Sequence, residues 1–92
     1  MLSDRIYELR TSFGWTQVQL AEKLNITKQT VSNWENDNIQ PSIEMLIKLS
    51  KIFNVSSDYL LGLTPENFIN VDGLPAEFVS HIVQIINDYK EK

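Results

Sequence analysis

The chain has 92 residues, 42% of them apolar, no cysteine and a formal net charge of −4. This length gives one small domain with an appendage and a modest core, and the lack of cysteine excludes disulfides, thiolate metal sites and cysteine nucleophiles. No apolar run is long enough to span a bilayer, and the start MLSDRIYEL lacks the basic and apolar regions of a secretory signal, so a cytosolic chain without membrane contact is expected.

Apolar periodicity and capping residues predict an all-α chain. The first helix is expected from about Asp4 to Phe13, with Ser3 as its cap, Ile6, Leu9 and Phe13 on its apolar face and Gly14 ending it. The next stretch, TQVQLAEKLNITKQTVSNW from Thr16 to Trp34, predicts two short helices joined by a tight turn. Thr16 caps the first of them, with Gln19 three residues later completing a capping box. Leu20, Ala21 and Leu24 share one face, and Ala21 is small where two helices must cross closely. Asn25 ends this helix, because a sharp turn needs a left-handed residue and Asn tolerates that backbone better than any residue except Gly. Ile26 plugs the corner, Thr27 caps the next helix, and Val31 and Trp34 face inward. Trp15 covers the junction of the first two helices.

Asn36, Asp37, Asn38 and Pro41 mark a loop. Ser42 caps a fourth helix, broadly apolar through Ile43, Leu46, Ile47, Leu49, Ile52 and Phe53, that ends at Asn54. Ser56 caps a short fifth helix carrying Tyr59, Leu60 and Leu61 and stopping at Gly62. Residues 1–64 thus form one domain. Residues 65–74 read as a linker, although Phe68, Ile69 and Val71 predict that it packs on something.

Residues 75–92 hold a last helix, from about Pro75 or Ala76 to Tyr89, with Pro75 suited to a first-turn position. Phe78, Ile82, Ile85 and Tyr89 form one apolar seam, and Val79, Val83 and Ile86 form another beside it. Together they make a stripe wider than a single surface contact requires, which points to dimerisation through this helix. The single histidine, His81, has no Cys or second His to share a metal with, no nucleophile motif accompanies it, and no Gly-rich phosphate loop is present. The expectation is a protein without catalytic activity, metal or cofactor.

Candidate chemistry lies on the second helix of the pair. Lys28, Gln29, Ser32 and Asn33 fall on the face opposite Val31 and Trp34. Gln and Asn can each pair bidentately with adenine, Lys reaches guanine or phosphate, and Ser serves either base type. The first turn of a recognition helix is the part that reaches base edges, and Lys28 and Gln29 sit there. Gln17, opening the preceding helix, is placed to bond a phosphate through its side chain or its backbone N–H. Thr27 and Asn36 are further candidates for backbone contact.

The segment from Ile6 to Leu63 resembles the phage-repressor-like helix-turn-helix family, often called the Xre family. The matching residues are Thr16-Gln17, Leu20-Ala21, Leu24, Ile26-Thr27, Val31-Ser32, Trp34-Glu35, Pro41-Ser42, Leu46, Leu49, Phe53, Val55 and Tyr59-Leu60-Leu61-Gly62. The resemblance implies a compact five-helix, lambda-repressor-like DNA-binding domain, acting as a homodimer on a two-fold operator in double-stranded DNA. It implies a structural salt bridge between Arg10 and Glu35, joining the first helix to the end of the third. Asn25 stands where the family usually has Gly, a departure the backbone tolerates. The expected function is a sequence-specific transcription regulator, a repressor, located with the nucleoid.

The charge balance is unusual for such a protein. Residues 1–64 carry six Lys or Arg against seven Asp or Glu, net −1, and residues 65–92 carry two against five, net −3. Phosphate-driven affinity is therefore expected to be low. Two alternatives stand beside the repressor. One is an antitoxin whose C-terminal segment neutralises a toxin; the other is an adaptor without DNA binding that pairs with another regulator. A toxin or an antirepressor is the candidate protein partner.

Overall fold

The computed structural model describes residues 2–64 and 71–91. Among them are six helices and no strand: α1 (Leu2–Ser12), α2 (Gln17–Leu24), α3 (Lys28–Glu35), α4 (Ile43–Phe53), α5 (Ser57–Leu60) and α6 (Ala76–Lys90). Side-chain caps start four of them: the hydroxyls of Thr16, Thr27, Ser42 and Ser56 accept from the N–H groups of Gln19, Thr30, Met45 and Tyr59. Each satisfies one donor that a helix start leaves without a partner. Thr16 and Gln19 close the capping box in both directions. Left-handed residues stop α2 and α4: Asn25 has φ 57° and Asn54 φ 55°. Asp37, at φ 58°, turns the chain after α3 in the same way.

The core sits between α1, α2, α3, α4 and α5. Ile6, Leu20, Val31, Leu49 and Leu60 are fully buried, one from each helix, and Ala21, Leu24, Trp34 and Phe53 surround them. Trp15, Ile26, Leu46, Ile52, Val55 and Tyr59 close the rim as half-buried side chains. The small Ala21 is buried where α2 and α3 pack together.

Three sequence expectations need correction. α1 begins at Leu2, so Ser3 lies inside the helix and does not cap it. Leu2 is buried, and burying a leucine is worth about 1.5–3 kcal/mol against about 1 kcal/mol for a cap. Phe13 lies beyond α1 and is 44% exposed. It meets Trp15 at a tilt (4.8 Å between centroids) and Phe53 edge-on (5.3 Å), and Trp15 stacks on Phe53 at 5.7 Å. This aromatic trio ties the α1–α2 turn to the end of α4. On α4, Ile43 and Ile47 point to solvent, because the face that meets the core is the one carrying Leu49 and Phe53, flanked by Met45, Leu46 and Ile52.

α6 stands apart in its packing: it has no buried residue, and only Val79 and Ile82 are half-buried. Phe78, Val83, Ile85, Ile86 and Tyr89 are exposed. Phe68 and Ile69 of the expected linker lie outside the described residues; Val71 is half-buried and Leu74 exposed.

Candidate nucleic-acid interface

α2 and α3 meet at a corner fixed by one residue. The Asn25 N–H donates to the carbonyls of Ala21 and Glu22, and the Ile26 N–H to Ala21 at 2.9 Å. Val31 and Trp34 anchor α3 from below, which leaves its other face outward. On that face Lys28 and Gln29 are exposed, and Ser32 and Asn33 half-buried.

These polar groups are already organised. Gln29 Nε2 donates to Asn33 Oδ1 at 3.1 Å, and Asn36 Nδ2 donates to Ser32 Oγ at 3.2 Å. Both pairs are one helical turn apart, the spacing at which side chains on a helix meet. The first pairing leaves Gln29 an acceptor oxygen and Asn33 an amide donor, a combination suited to a base edge. Thr27 bonds the Thr30 hydroxyl at 2.9 Å while capping α3, so its oxygen serves the helix start.

A second cluster joins α1, α2 and α3. Arg10, 8% exposed, meets Glu35 with two parallel bonds: Nε to Oε2 at 2.6 Å and Nη2 to Oε1 at 3.0 Å. Its Nη1 donates to the Trp15 carbonyl at 2.7 Å. The hydrogen bonds that Arg10 donates to Glu35 hold its pKa above its usual high value, against the opposing effect of burial. Gln17 enters the same cluster, its Nε2 donating to Glu35 Oε1 at 3.1 Å. Sequence alone assigns Gln17 to a phosphate and, through the family resemblance, Glu35 to Arg10, and carries no signal for the bond between Gln17 and Glu35. They are 18 residues apart and are brought together only by the packing of α2 on α3.

Most cations of residues 2–64 are engaged elsewhere. Besides Arg10, the Arg5 guanidinium lies over the Tyr59 ring at 3.8 Å and Lys23 lies over Trp15 at 4.5 Å. Lys48 pairs with Glu44 at 3.6 Å. Lys23, Lys48 and Lys51 line a groove with Leu24, Asn25 and Ile52. Lys23 and Lys51 lie in the last turns of α2 and α4, where cations complement the helix dipole. That groove is at the end of α2 opposite Gln17, roughly 10 Å along the helix axis at 1.5 Å per residue. Lys28 is the one basic residue on α3. Any duplex affinity should therefore fall only gently with added salt. A log–log slope as steep as about −8, equivalent to roughly nine neutralised phosphates, would contradict this.

Comparison with known proteins bears on both the family and the fold. A family profile described as helix-turn-helix matches residues 6–60. The HTH-type transcriptional regulator ImmR of Bacillus subtilis (strain 168) is 39% identical over 87 residues, covering 95% of this chain and 68% of ImmR. The chain spans less than two thirds of two other helix-turn-helix regulators of that bacterium. A transcriptional regulator from Listeria innocua superposes with a TM-score of 0.66 at 26% identity, over 99% of this chain and 92% of that one. A chain of a SinR protein/SinI protein complex superposes with a TM-score of 0.64 at 24% identity over the full length of both, a likeness of fold. Among the described residues no helix is long and apolar enough to cross a membrane.

Proposed function

Because the chain belongs to the helix-turn-helix family of DNA-binding transcriptional regulators, which are not enzymes, we propose that it is a homodimeric repressor of a near-palindromic operator. The observation that carries this reading is the outward face of α3. Lys28, Gln29, Ser32 and Asn33 share it, and the Gln29–Asn33 bond prearranges two carboxamides for base edges. Gln17, at the start of α2, suits a phosphate, with Thr27 and Asn36 contacting the backbone on either side of the reading face. Two copies place two such helices about one DNA turn, roughly 34 Å, apart. Repression follows from occupying a promoter and needs no catalysis. The protein acts at the nucleoid, in the cytoplasm.

The dimer reading rests on α6. Its apolar stripe of Phe78, Val79, Ile82, Val83, Ile85, Ile86 and Tyr89 contains no buried residue in the single chain. A stripe of this breadth is characteristic of a protein–protein contact. Residues 1–64 then form the reading domain and residues 75–92 the dimerisation element. A protein antagonist, an antirepressor or a toxin, would act by competing for the same face.

Gln29→Ala tests the base-reading assignment. On the preferred duplex it is expected to lose about 1–3 kcal/mol of binding and to relax base preference at one position. The check is a titration against the preferred site and single-base variants of it. An equal loss on every sequence would make Gln29 a phosphate contact.

A further inference from the structure

We propose that Glu35 is a positioning residue for DNA binding: it orients the Gln17 carboxamide for a phosphate, and Arg10 permits this by cancelling its charge. The inference rests on the duplex-binding reading above and adds a role for two residues otherwise assigned to the fold.

The argument starts from the donors. A glutamine carboxamide has two N–H groups in one rigid plane. One of them is bonded to Glu35 Oε1 at 3.1 Å. That bond restricts the orientations of the amide plane and so narrows the directions open to the second N–H before any ligand arrives. Gln17 is also the first residue of α2, where backbone N–H groups and the helix dipole favour an anion. The side chain and the helix start are thus held on a common anchor, and less conformational freedom is lost on binding.

A carboxylate beside a phosphate site is ordinarily a liability. Here the Glu35 side chain is only 5% exposed, and Arg10 bonds both of its oxygens. The pair is neutral as a unit, so an approaching phosphate meets the amide and not an exposed anion. The charge still strengthens the amide bond, because hydrogen bonds to an ionised acceptor are about twice as strong as neutral ones. Arg10 also holds the Trp15 carbonyl at 2.7 Å, immediately before the Thr16 cap. The start of α2 is therefore fixed to α1 and to the end of α3 through one guanidinium.

A double-mutant comparison on the full chain separates this from a purely structural contact. Gln17→Met removes the amide while keeping the length of the side chain. The pair Arg10→Met with Glu35→Leu removes both charges together, a change that buried ion pairs often tolerate without loss of stability. Binding to a mixed-sequence duplex at low salt is followed by fluorescence anisotropy, with thermal unfolding of each variant alongside. Gln17→Met is expected to weaken duplex binding about tenfold in the natural background, and less than about twofold once Arg10 and Glu35 are replaced. The same loss in both backgrounds, or no loss in the natural one, overturns the proposal. Absence of duplex binding by the unaltered chain sinks the duplex-binding reading itself, and this proposal with it.

A second readout needs no variant. In the labelled natural chain, adding duplex is expected to shift one Gln17 side-chain amide proton and leave its Glu35-bonded partner in place. Movement of both protons to the positions of a free amide overturns the proposal even if the charge-free variant fails to fold.

Discussion

Arg10→Ala is expected to lower the unfolding free energy by about 3 kcal/mol. For a domain of this size that corresponds to a fall in melting temperature of roughly 12–24 °C. The cost arises less from the lost attraction than from what remains. Glu35, with a side chain 5% exposed, would lose both guanidinium bonds and be left without its cation in a largely buried site. The Trp15 carbonyl would lose its partner as well. The opposite design gives the control: replacing Arg10 and Glu35 together with apolar residues leaves no buried charge and should recover most of the stability. Thermal unfolding followed by circular dichroism checks both. A melting temperature within about 2 °C of the natural chain in Arg10→Ala would show that the bridge contributes little to the fold.

The second large effect concerns α6. Replacing Ile85 and Ile86 together with Glu is expected to make the protein monomeric and to weaken binding to a two-fold duplex by about 10²–10⁴, the usual gain from linking two modules. Both residues are exposed in the single chain, at 68% and 38%. Their replacement should leave the core of Ile6, Leu20, Val31, Leu49 and Leu60 intact and the melting of that core nearly unchanged. A dimer interface, by contrast, cannot bury two carboxylates without partners. Analytical ultracentrifugation measures the mass, and duplex titration the affinity. An unchanged dimer would move the interface away from α6. A natural chain that is monomeric at the concentrations where it binds DNA would remove the homodimer from the account.

The local structure was legible in the sequence wherever a single residue type answers a backbone requirement. Thr16, Thr27, Ser42 and Ser56 cap because a hydroxyl reaches a free N–H at a helix start. Asn25 turns the chain because it tolerates positive φ. Legibility ended where two distant segments decide the outcome. Apolar spacing on α4 did not reveal that Ile43 and Ile47 stay in solvent, since that depends on which edge the other helices leave open. Phe13 has the spacing of a core residue of α1 and instead lies beyond the helix, tilted against Trp15 and edge-on to Phe53.

The same boundary runs through the candidate interface. The outward position of Lys28, Gln29, Ser32 and Asn33 follows from helix period alone. The bond from Gln17 to Glu35 does not, because it needs the register of α2 against α3. The i,i+4 pairs Gln29–Asn33 and Ser32–Asn36 were within reach of sequence reasoning. Charge counts predict weak phosphate attraction, and the gathering of Lys23, Lys48 and Lys51 at the far end of α2 from Gln17 supports that expectation.

The most direct test of the central claim is selection of binding sites from a random duplex library with the purified chain at moderate salt. The account predicts enrichment of a two-fold site with half-sites about one helical turn apart, lost in the Ile85→Glu, Ile86→Glu variant and relaxed at one position in Gln29→Ala. Failure to enrich any sequence, even at low salt, would contradict it.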